Sequence, residues 1–144
     1  MNIIICGAGR VGFTISKQLS EQGHSITVID TSSEDIQKID DALDVKAIVG
    51  KATYPTILEK ANAAETDMII AVTRNDEINM VICQIAFSIF NIPKKIARIR
   101  SQDYLNPKFT TVYNKENLPI DVIISPELEI CLLYTSPSPR DGLL

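Results

Sequence analysis

Three glycines near the start of the chain have the spacing of a dinucleotide-binding loop. Gly7, Gly9 and Gly12 form the pattern G-x-G-x-x-G directly after the apolar run Asn2–Cys6, where a helical pattern begins. Gly7 permits a tight turn, Gly9 lets a pyrophosphate approach the backbone, and Gly12 lets the helix pack closely on the strand. The free N–H groups at the helix start are then expected to face the phosphates.

A second apolar run, residues 26–30, ends in an acid 18 residues after Gly12. A carboxylate at this place, Asp30, accepts hydrogen bonds from ribose hydroxyls, although a capping or surface aspartate is the alternative. Its negative charge would repel a 2′-phosphate, so the pattern favours NAD or an adenine nucleotide over NADP. Arg10 lies inside the glycine loop, where its guanidinium either reaches a phosphate or is solvated.

Strand-like and helix-like patterns alternate along the chain and must position these residues. The predicted strands are residues 2–6, 26–30, 45–49, 68–72, 95–99 and 121–124, and the predicted helices begin near Arg10, Thr31, Pro55, and Asn75 or Asp76. Helices between successive strands imply right-handed crossovers and a parallel sheet that is covered on both faces. We therefore predict one α/β domain, a doubly wound six-stranded Rossmann fold with strand order 3-2-1-4-5-6.

The last residues depart from the alternating pattern. Ser125-Pro126-Glu127 predicts the start of a helix. The serine- and proline-rich residues that follow continue neither a helix nor a core. We therefore expect the domain to span residues 1–130 and residues 131–144 to form an irregular tail, which raises the question of whether the tail is native.

The predicted topology gathers further candidates at one edge of the sheet. Loops at the carboxyl ends of parallel strands meet the ligand at the switch point between strands 1 and 4. These loops are residues 7–12, 30–31, 50–53, 73–77 and 98–101. Ala52 and Thr53 are expected near an adenine ring, although Thr53 is nearly as well explained as a helix cap. Asp76 and Glu77, in a first helical turn, are typical partners of a helix dipole.

Candidates for catalysis are few in this sequence. The single histidine, His24, falls at the opposite, amino-end edge of the predicted sheet. Tyr104-x-x-x-Lys108 is similar to the Tyr/Lys pair of short-chain dehydrogenases, but Pro107 interrupts the helical turn that would align the two side chains. The pattern therefore favours binding over hydride-transfer chemistry, which commonly needs a general acid or base beside the substrate.

Composition excludes several classes of function. The net charge of −4 and the lack of a basic stripe argue against a nucleic-acid reader. The three cysteines, Cys6, Cys83 and Cys131, are too widely spaced for a zinc site, and the first two fit small core residues in a reducing compartment. With no leader pattern and no apolar run of membrane-spanning length, we expect a cytoplasmic chain.

Several motifs together resemble the N-terminal nucleotide-binding domain of the RCK (KTN) family, and within it the regulators of Trk-type potassium uptake. The resemblance covers residues 1 to about 130 and rests on segments 3–12, 27–30, 50–53, 71–79, 94–100 and 121–127. It implies a non-enzymatic regulatory subunit, a homo-oligomer (a dimer or tetramer ring) bound to a membrane potassium-translocating subunit at the inner face of the plasma membrane.

The resemblance also implies the ligand and its contacts. The ligand would be NAD(H) or ATP/ADP, and its binding would change the conformation of the assembly. The cofactor-binding residues implied are Gly7, Gly9, Arg10, Val11, Gly12, Asp30, Thr31, Ala52, Thr53, Thr73 and Arg98. Two other readings stay open: an NAD-dependent oxidoreductase fragment without its substrate domain, and a purely structural assembly domain.

Overall fold

The computed structural model describes residues 1–125 and the backbone of residues 129–132, and shows a seven-stranded sheet with helices on both faces. The strands are β1 (Asn2–Cys6), β2 (Ser25–Asp30), β3 (Lys46–Val49), β4 (Met68–Ala71), β5 (Lys94–Arg98), β6 (Val122–Ser125) and β7 (Glu129–Leu132). The helices are α1 (Arg10–Glu21), α2 (Ser33–Ala42), α3 (Pro55–Lys60), α4 (Asp76–Ser88) and α5 (Gln102–Leu105). Two short 3₁₀ turns are Ala63–Glu65 and Thr110–Val112.

The sheet has the predicted doubly wound topology. The strand order is β3-β2-β1-β4-β5-β6-β7, and the first six strands are parallel. Ile3 on the central strand β1 is in register with Ile26 of β2 on one side and Met68 of β4 on the other. The carboxyl ends of β1 to β5 therefore share one edge, and the chain reverses direction across the sheet between β1 and β4. The prediction of a Rossmann fold is confirmed.

Alternate residues of β1 belong to two separate cores. Ile3 and Ile5 pack with the residues of β2 and α2 on one face, and Ile4 and Cys6 pack with those of α3 and α4 on the other. All four side chains are buried. This arrangement is typical of a parallel sheet covered on both sides, and it explains why β1 reads as a continuous apolar run.

Helix α4 is the longest of the described helices, and its apolar surface is wider than the face it buries. Its cap is Asn75, whose side chain accepts a hydrogen bond of 2.9 Å from the N–H of Ile78. Ile78 and Val81 on this helix, and Ile89 directly after it, are exposed apolar residues. The buried residues of α4 are Asn79, Ile82, Cys83 and Ala86. No described helix is long and apolar enough to cross a bilayer.

One predicted helix start lies one residue further along than expected. Ser32, rather than Thr31, caps α2: its hydroxyl accepts from the N–H of Asp35 at 3.1 Å. The reason is that the Asp30 carboxylate accepts the Ser32 N–H at 2.8 Å and turns the chain before the helix begins.

The helix predicted from Ser125 is wrong. Ser125 closes β6, and Glu129–Leu132 pairs antiparallel with that strand instead of turning into a helix. The edge of β6 offers unpaired backbone groups, and the short run that follows satisfies them. The predicted tail boundary at Cys131 therefore falls inside β7, and residues 126–128 and 133–144 lie outside the described residues.

Candidate functional site

A cleft of about 980 Å³ opens at the carboxyl edge of the sheet, above β1 and β4. Ten of the eleven residues predicted to bind a cofactor line it: Gly7, Gly9, Arg10, Val11, Asp30, Thr31, Ala52, Thr53, Thr73 and Arg98. The eleventh, Gly12, lies behind the loop. The structure thus brings the predicted set together at the point where ligands of open α/β sheets bind.

The three glycines of the loop differ in what a side chain at their position would contact. Gly7 has a φ of +117°, and a Cβ there would lie 2.8 Å from the carbonyl oxygen of Val72. A Cβ on Gly12 would lie 1.7 Å from the carbonyl oxygen of Gly7, so helix and loop touch at this point. A Cβ on Gly9 would meet no protein atom within 4 Å. The fold therefore requires Gly7 and Gly12, whereas Gly9 leaves space in the cleft.

Asp30 connects the glycine loop to the start of α2. Its Oδ2 accepts a 2.6 Å hydrogen bond from the N–H of Ala8, and its Oδ1 accepts from the N–H of Ser32. Its carbonyl oxygen accepts a 2.9 Å bond from the N–H of Gly50 at the end of β3. A carboxylate has about four lone-pair positions, so acceptor capacity remains for hydroxyl groups of a ligand.

Arginines dominate the charge on the β4–β5 side of the cleft. The Arg98 guanidinium donates to the carbonyl oxygen of Thr73 at 3.1 Å, and that of Arg100 donates to the carbonyl oxygen of Arg74 at 2.7 Å. Burial, followed by the neighbouring charges of Arg100 and Arg74, lowers the pKa of Arg98.

Within residues 1–125 none of the cleft arginines, Arg10 included, forms an ion pair with a carboxylate. The Asp76 carboxylate offsets part of the Arg98 charge from a distance, without forming an ion pair. In a chain of net charge −4, the cleft carries positive charge available to an anion.

Asp76 and Glu77 do more than face the helix dipole. The Asp76 carboxylate accepts from the backbone N–H groups of Arg100, at 3.0 Å, and Ser101, at 2.8 Å, and so joins the start of α4 to the loop after β5. Glu77 accepts a 2.6 Å hydrogen bond from the Tyr104 hydroxyl. This bond lowers the pKa of Glu77 and raises the pKa of Tyr104.

The dehydrogenase-like pair is not assembled. The Tyr104 hydroxyl is engaged by Glu77, and Lys108 lies beyond the end of α5, which stops at Leu105. Asn106-Pro107 separates the two residues, as the sequence predicts. The reading as an oxidoreductase therefore loses its only candidate acid–base pair.

His24 and the two described cysteines lie away from the cleft chemistry. His24 is at the amino edge of the sheet, 3.1 Å through its Nδ1 from the amino group of Met1. Cys6 and Cys83 are buried and free, and burial raises the pKa of both thiols, that of Cys83 to about 12. Among the described residues, no cluster of three His, Cys, Asp or Glu side chains could hold a metal ion. The side chain of Cys131 lies outside the described residues.

Sequence reasoning did not identify Asn79, a residue that supports the wall of the site. Asn79 is completely buried on α4 and bonds to Thr73 and Arg98. The signal was present, because Asn79 is a polar residue three positions before Ile82 and seven before Ala86, on the helix face that is otherwise apolar. Buried polar side chains are almost always hydrogen-bonded, so such a position predicts a specific partner.

The sheet order, the glycine loop and the cleft at the switch point define a Rossmann-type nucleotide-binding domain. Within that class the chain belongs to the TrkA-N domain family, whose profile matches residues 3–126.

Individual relatives and solved structures are also similar to this chain. It is 45% identical over 130 residues to the Trk system potassium uptake protein TrkA of Azorhizobium caulinodans, which covers 90% of this chain but 28% of that protein. The NAD(P)-binding domain of an exopolyphosphatase-related protein from Archaeoglobus fulgidus superposes with a TM-score of 0.70 at 18% identity, over 87% of each chain. The GsuK channel bound to NAD superposes with a TM-score of 0.64 at 20% identity, over 72% of this chain and 18% of that one.

Proposed function

We propose that this chain is the nucleotide-sensing part of a regulator of potassium uptake, and that its ligand is NAD(H) or ATP/ADP. The observation that carries the proposal is the cleft, where an open loop at Gly9, the carboxylate of Asp30 and unpaired arginines surround one space. Family membership supports the transport role, because the relatives are potassium uptake proteins by name. The chain spans 28% of the length of such relatives, so it represents one part of a larger regulator.

In this proposal each side of the cleft takes one part of the ligand. Asp30 and Thr31 bind the ribose, and Ala52 and Thr53 lie against the adenine. The phosphates lie over Gly9, where no side chain intrudes and where the first N–H groups of α1 are not capped by a side chain. Arg10 neutralises the phosphate charge from the loop, and Thr73 and Arg98 contact what extends beyond it.

The proposed role is regulatory rather than enzymatic. Nucleotide binding changes the relative stability of two arrangements of a homo-oligomer, a dimer or tetramer ring, because the ligand has a different affinity for each. The assembly is cytoplasmic and reaches the inner face of the plasma membrane through a membrane potassium-translocating subunit. In this proposal the nucleotide-binding domain comprises the seven-stranded sheet and its helices, through the end of β7 at Leu132.

Calorimetric titration of the chain with NAD, NADH, ATP, ADP and NADP tests the ligand assignment. We expect at least one of the first four to bind about tenfold more tightly than NADP, because the Asp30 carboxylate faces the ribose hydroxyls and would repel a 2′-phosphate. If none binds, or if NADP binds best, the proposal is wrong. For the transport role, Asp30→Ala in a full-length regulator is expected to remove the effect of nucleotide on potassium uptake. Unchanged regulation would favour a purely structural assembly domain.

A further inference from the structure

A buried amide on α4 connects the two strand ends that face the glycine loop across the cleft. The Oδ1 of Asn79 accepts from the backbone N–H of Thr73 at 2.9 Å and from its hydroxyl at 2.7 Å. Its Nδ2 donates to the carbonyl oxygens of Arg98, at 2.7 Å, and Thr73, at 3.2 Å. The side chain is 0% exposed. All four bonds go to two residues that line the cleft.

The chemistry of these partners requires an amide at position 79. A backbone N–H can only donate, so it must meet the oxygen of Asn79, and two carbonyl oxygens can only accept, so they must meet its NH₂ group. An aspartate would turn negative charge towards the carbonyls of Thr73 and Arg98. A leucine would fill the space and leave buried backbone groups without a partner, which is costly.

We propose that Asn79 is a positioning residue for the ligand. It holds Thr73 and Arg98 where they contact the part of the ligand that extends past the first phosphate. This inference rests on the proposed function, because it takes those two residues as ligand contacts. The Arg98 guanidinium also donates to the Thr73 carbonyl oxygen, so the three residues form a closed ring of hydrogen bonds. The guanidinium is thereby held by the Thr73 carbonyl oxygen, which the Asn79 amide also contacts, and not by an ion pair.

The strand order determines which part of a ligand the amide affects. Thr73 and Arg98 follow β4 and β5, whereas Asp30 and Ala52 follow β2 and β3, on the other side of β1. AMP would occupy the β2–β3 side and the glycine loop. The second half of NAD, or the terminal phosphates of ATP, would reach Thr73 and Arg98. Loss of the amide should therefore weaken the longer ligands selectively.

The test is a calorimetric comparison of AMP, NAD and ATP on four chains: the wild type, Asn79→Leu, Asn79→Ser and Cys83→Ala. Cys83 is the matched control, because it is also fully buried, lies one helical turn further along α4, and bonds to the carbonyl oxygen of Ile96 within β5 rather than to a cleft residue. Each longer ligand that binds the wild type should lose about tenfold or more in affinity with either Asn79 variant, as expected when a charged contact is misplaced. AMP affinity should change by less than about twofold, and Cys83→Ala should leave all affinities unchanged.

An equal loss for AMP and the longer ligands would overturn the inference, since that result is expected of a merely structural residue. So would unchanged affinities in a folded Asn79 variant.

A measurement on the wild type keeps the test valid if the variants do not fold. The Asn79 side-chain NH₂ and the Thr73 backbone N–H should exchange slowly with solvent and should shift in NMR spectra with NAD or ATP but not with AMP. Fast exchange of these protons would contradict the positioning role, whether or not a nucleotide binds. A failure of every nucleotide to bind would instead contradict the proposed function.

Discussion

Asp30 and Ala8 are joined by a hydrogen bond of 2.6 Å from the backbone N–H of Ala8 to the Asp30 carboxylate. The residue expected to recognise ribose is therefore also the residue that holds the glycine loop against the end of β2. Because the same carboxylate accepts the Ser32 N–H, it orders both loops that form this side of the cleft. Substitutions of Asp30 should thus change folding and binding together.

Replacing Asp30 with alanine is expected to reduce the free energy of unfolding by about 1–3 kcal/mol, because two half-buried N–H groups lose a charged acceptor. Urea-induced unfolding measures the change. Asp40→Ala, on the exposed face of α2, is the matched control and should cost less than about 0.5 kcal/mol. Equal effects of the two substitutions would show that the carboxylate does not hold the loops.

Substitutions of Gly9 and Gly7 should have different effects, the first on nucleotide affinity and the second on the stability of the fold. Gly9→Ala places its new methyl group in open space, so the melting temperature should not change, while nucleotide affinity should fall because the backbone can no longer be approached closely. Gly7→Ala should destabilise the chain by about 1–3 kcal/mol, since its φ is positive and its Cβ would press on the Val72 carbonyl. Thermal melting and calorimetry on both variants provide the measurement. Full nucleotide affinity in Gly9→Ala would contradict the proposed place of the phosphates.

The Glu77–Tyr104 hydrogen bond should give the stability a specific pH dependence. It lowers the pKa of Glu77, so its contribution is present above the ordinary glutamate pKa of about 4.3 and is lost as pH falls through the lowered value. It raises the pKa of Tyr104, so the same contribution is present below about pH 10 and is lost as pH rises further. The difference in melting temperature between the wild type and Tyr104→Phe should therefore be largest near neutral pH and should narrow at both extremes.

A second tyrosine variant controls for the loss of a hydroxyl. The Tyr113 hydroxyl donates to the backbone carbonyl oxygen of Tyr104, an acceptor that does not titrate, and burial raises the pKa of Tyr113 to about 12. The difference in melting temperature for Tyr113→Phe should stay constant on acidification. If Tyr104→Phe behaves in the same way, the Glu77 bond does not contribute to stability.

The buried thiols should resist alkylation in the folded chain. The thiolate is the reactive form of cysteine, and burial raises the pKa of Cys83 to about 12 and raises that of Cys6 as well. We expect neither residue to react with iodoacetamide at about pH 8 in native buffer, and both to react in urea. Peptide mass spectrometry locates the modified residues. Equal labelling of Cys83 with and without urea would mean that α4 detaches readily from the sheet.

Local sequence patterns were sufficient for the parallel strands and for the residues that gather at the cleft. The continuous apolar run of β1 and the glycine spacing depend on neighbours within about a dozen positions, so Gly7 and Asp30 could be placed in advance. The bonds of Asn79 to Thr73 and Arg98 depend on how α4 and β5 pack, which no local pattern contains.

The same limit explains the error after Ser125. There, Pro126 and Glu127 are residues typical of a helix start. The edge of β6, however, has backbone groups that need hydrogen-bond partners, and pairing with Glu129–Leu132 supplies them. The exposure of Ile78 and Val81 is likewise not evident from helical periodicity, because the spacing of apolar residues does not give the width of the sheet beneath the helix.

The contact between Gly12 and the Gly7 carbonyl has a consequence for how a ligand could act. With helix and loop touching there, and with Ala8 held by Asp30, the protein itself fixes the shape of the loop without a ligand. Binding then needs no ordering of the loop, which favours affinity through preorganisation. It also means that the loop itself is not expected to change its conformation much when a nucleotide binds. In the proposed function, the structural response to a nucleotide is therefore expected outside the glycine loop and the turn that Asp30 holds.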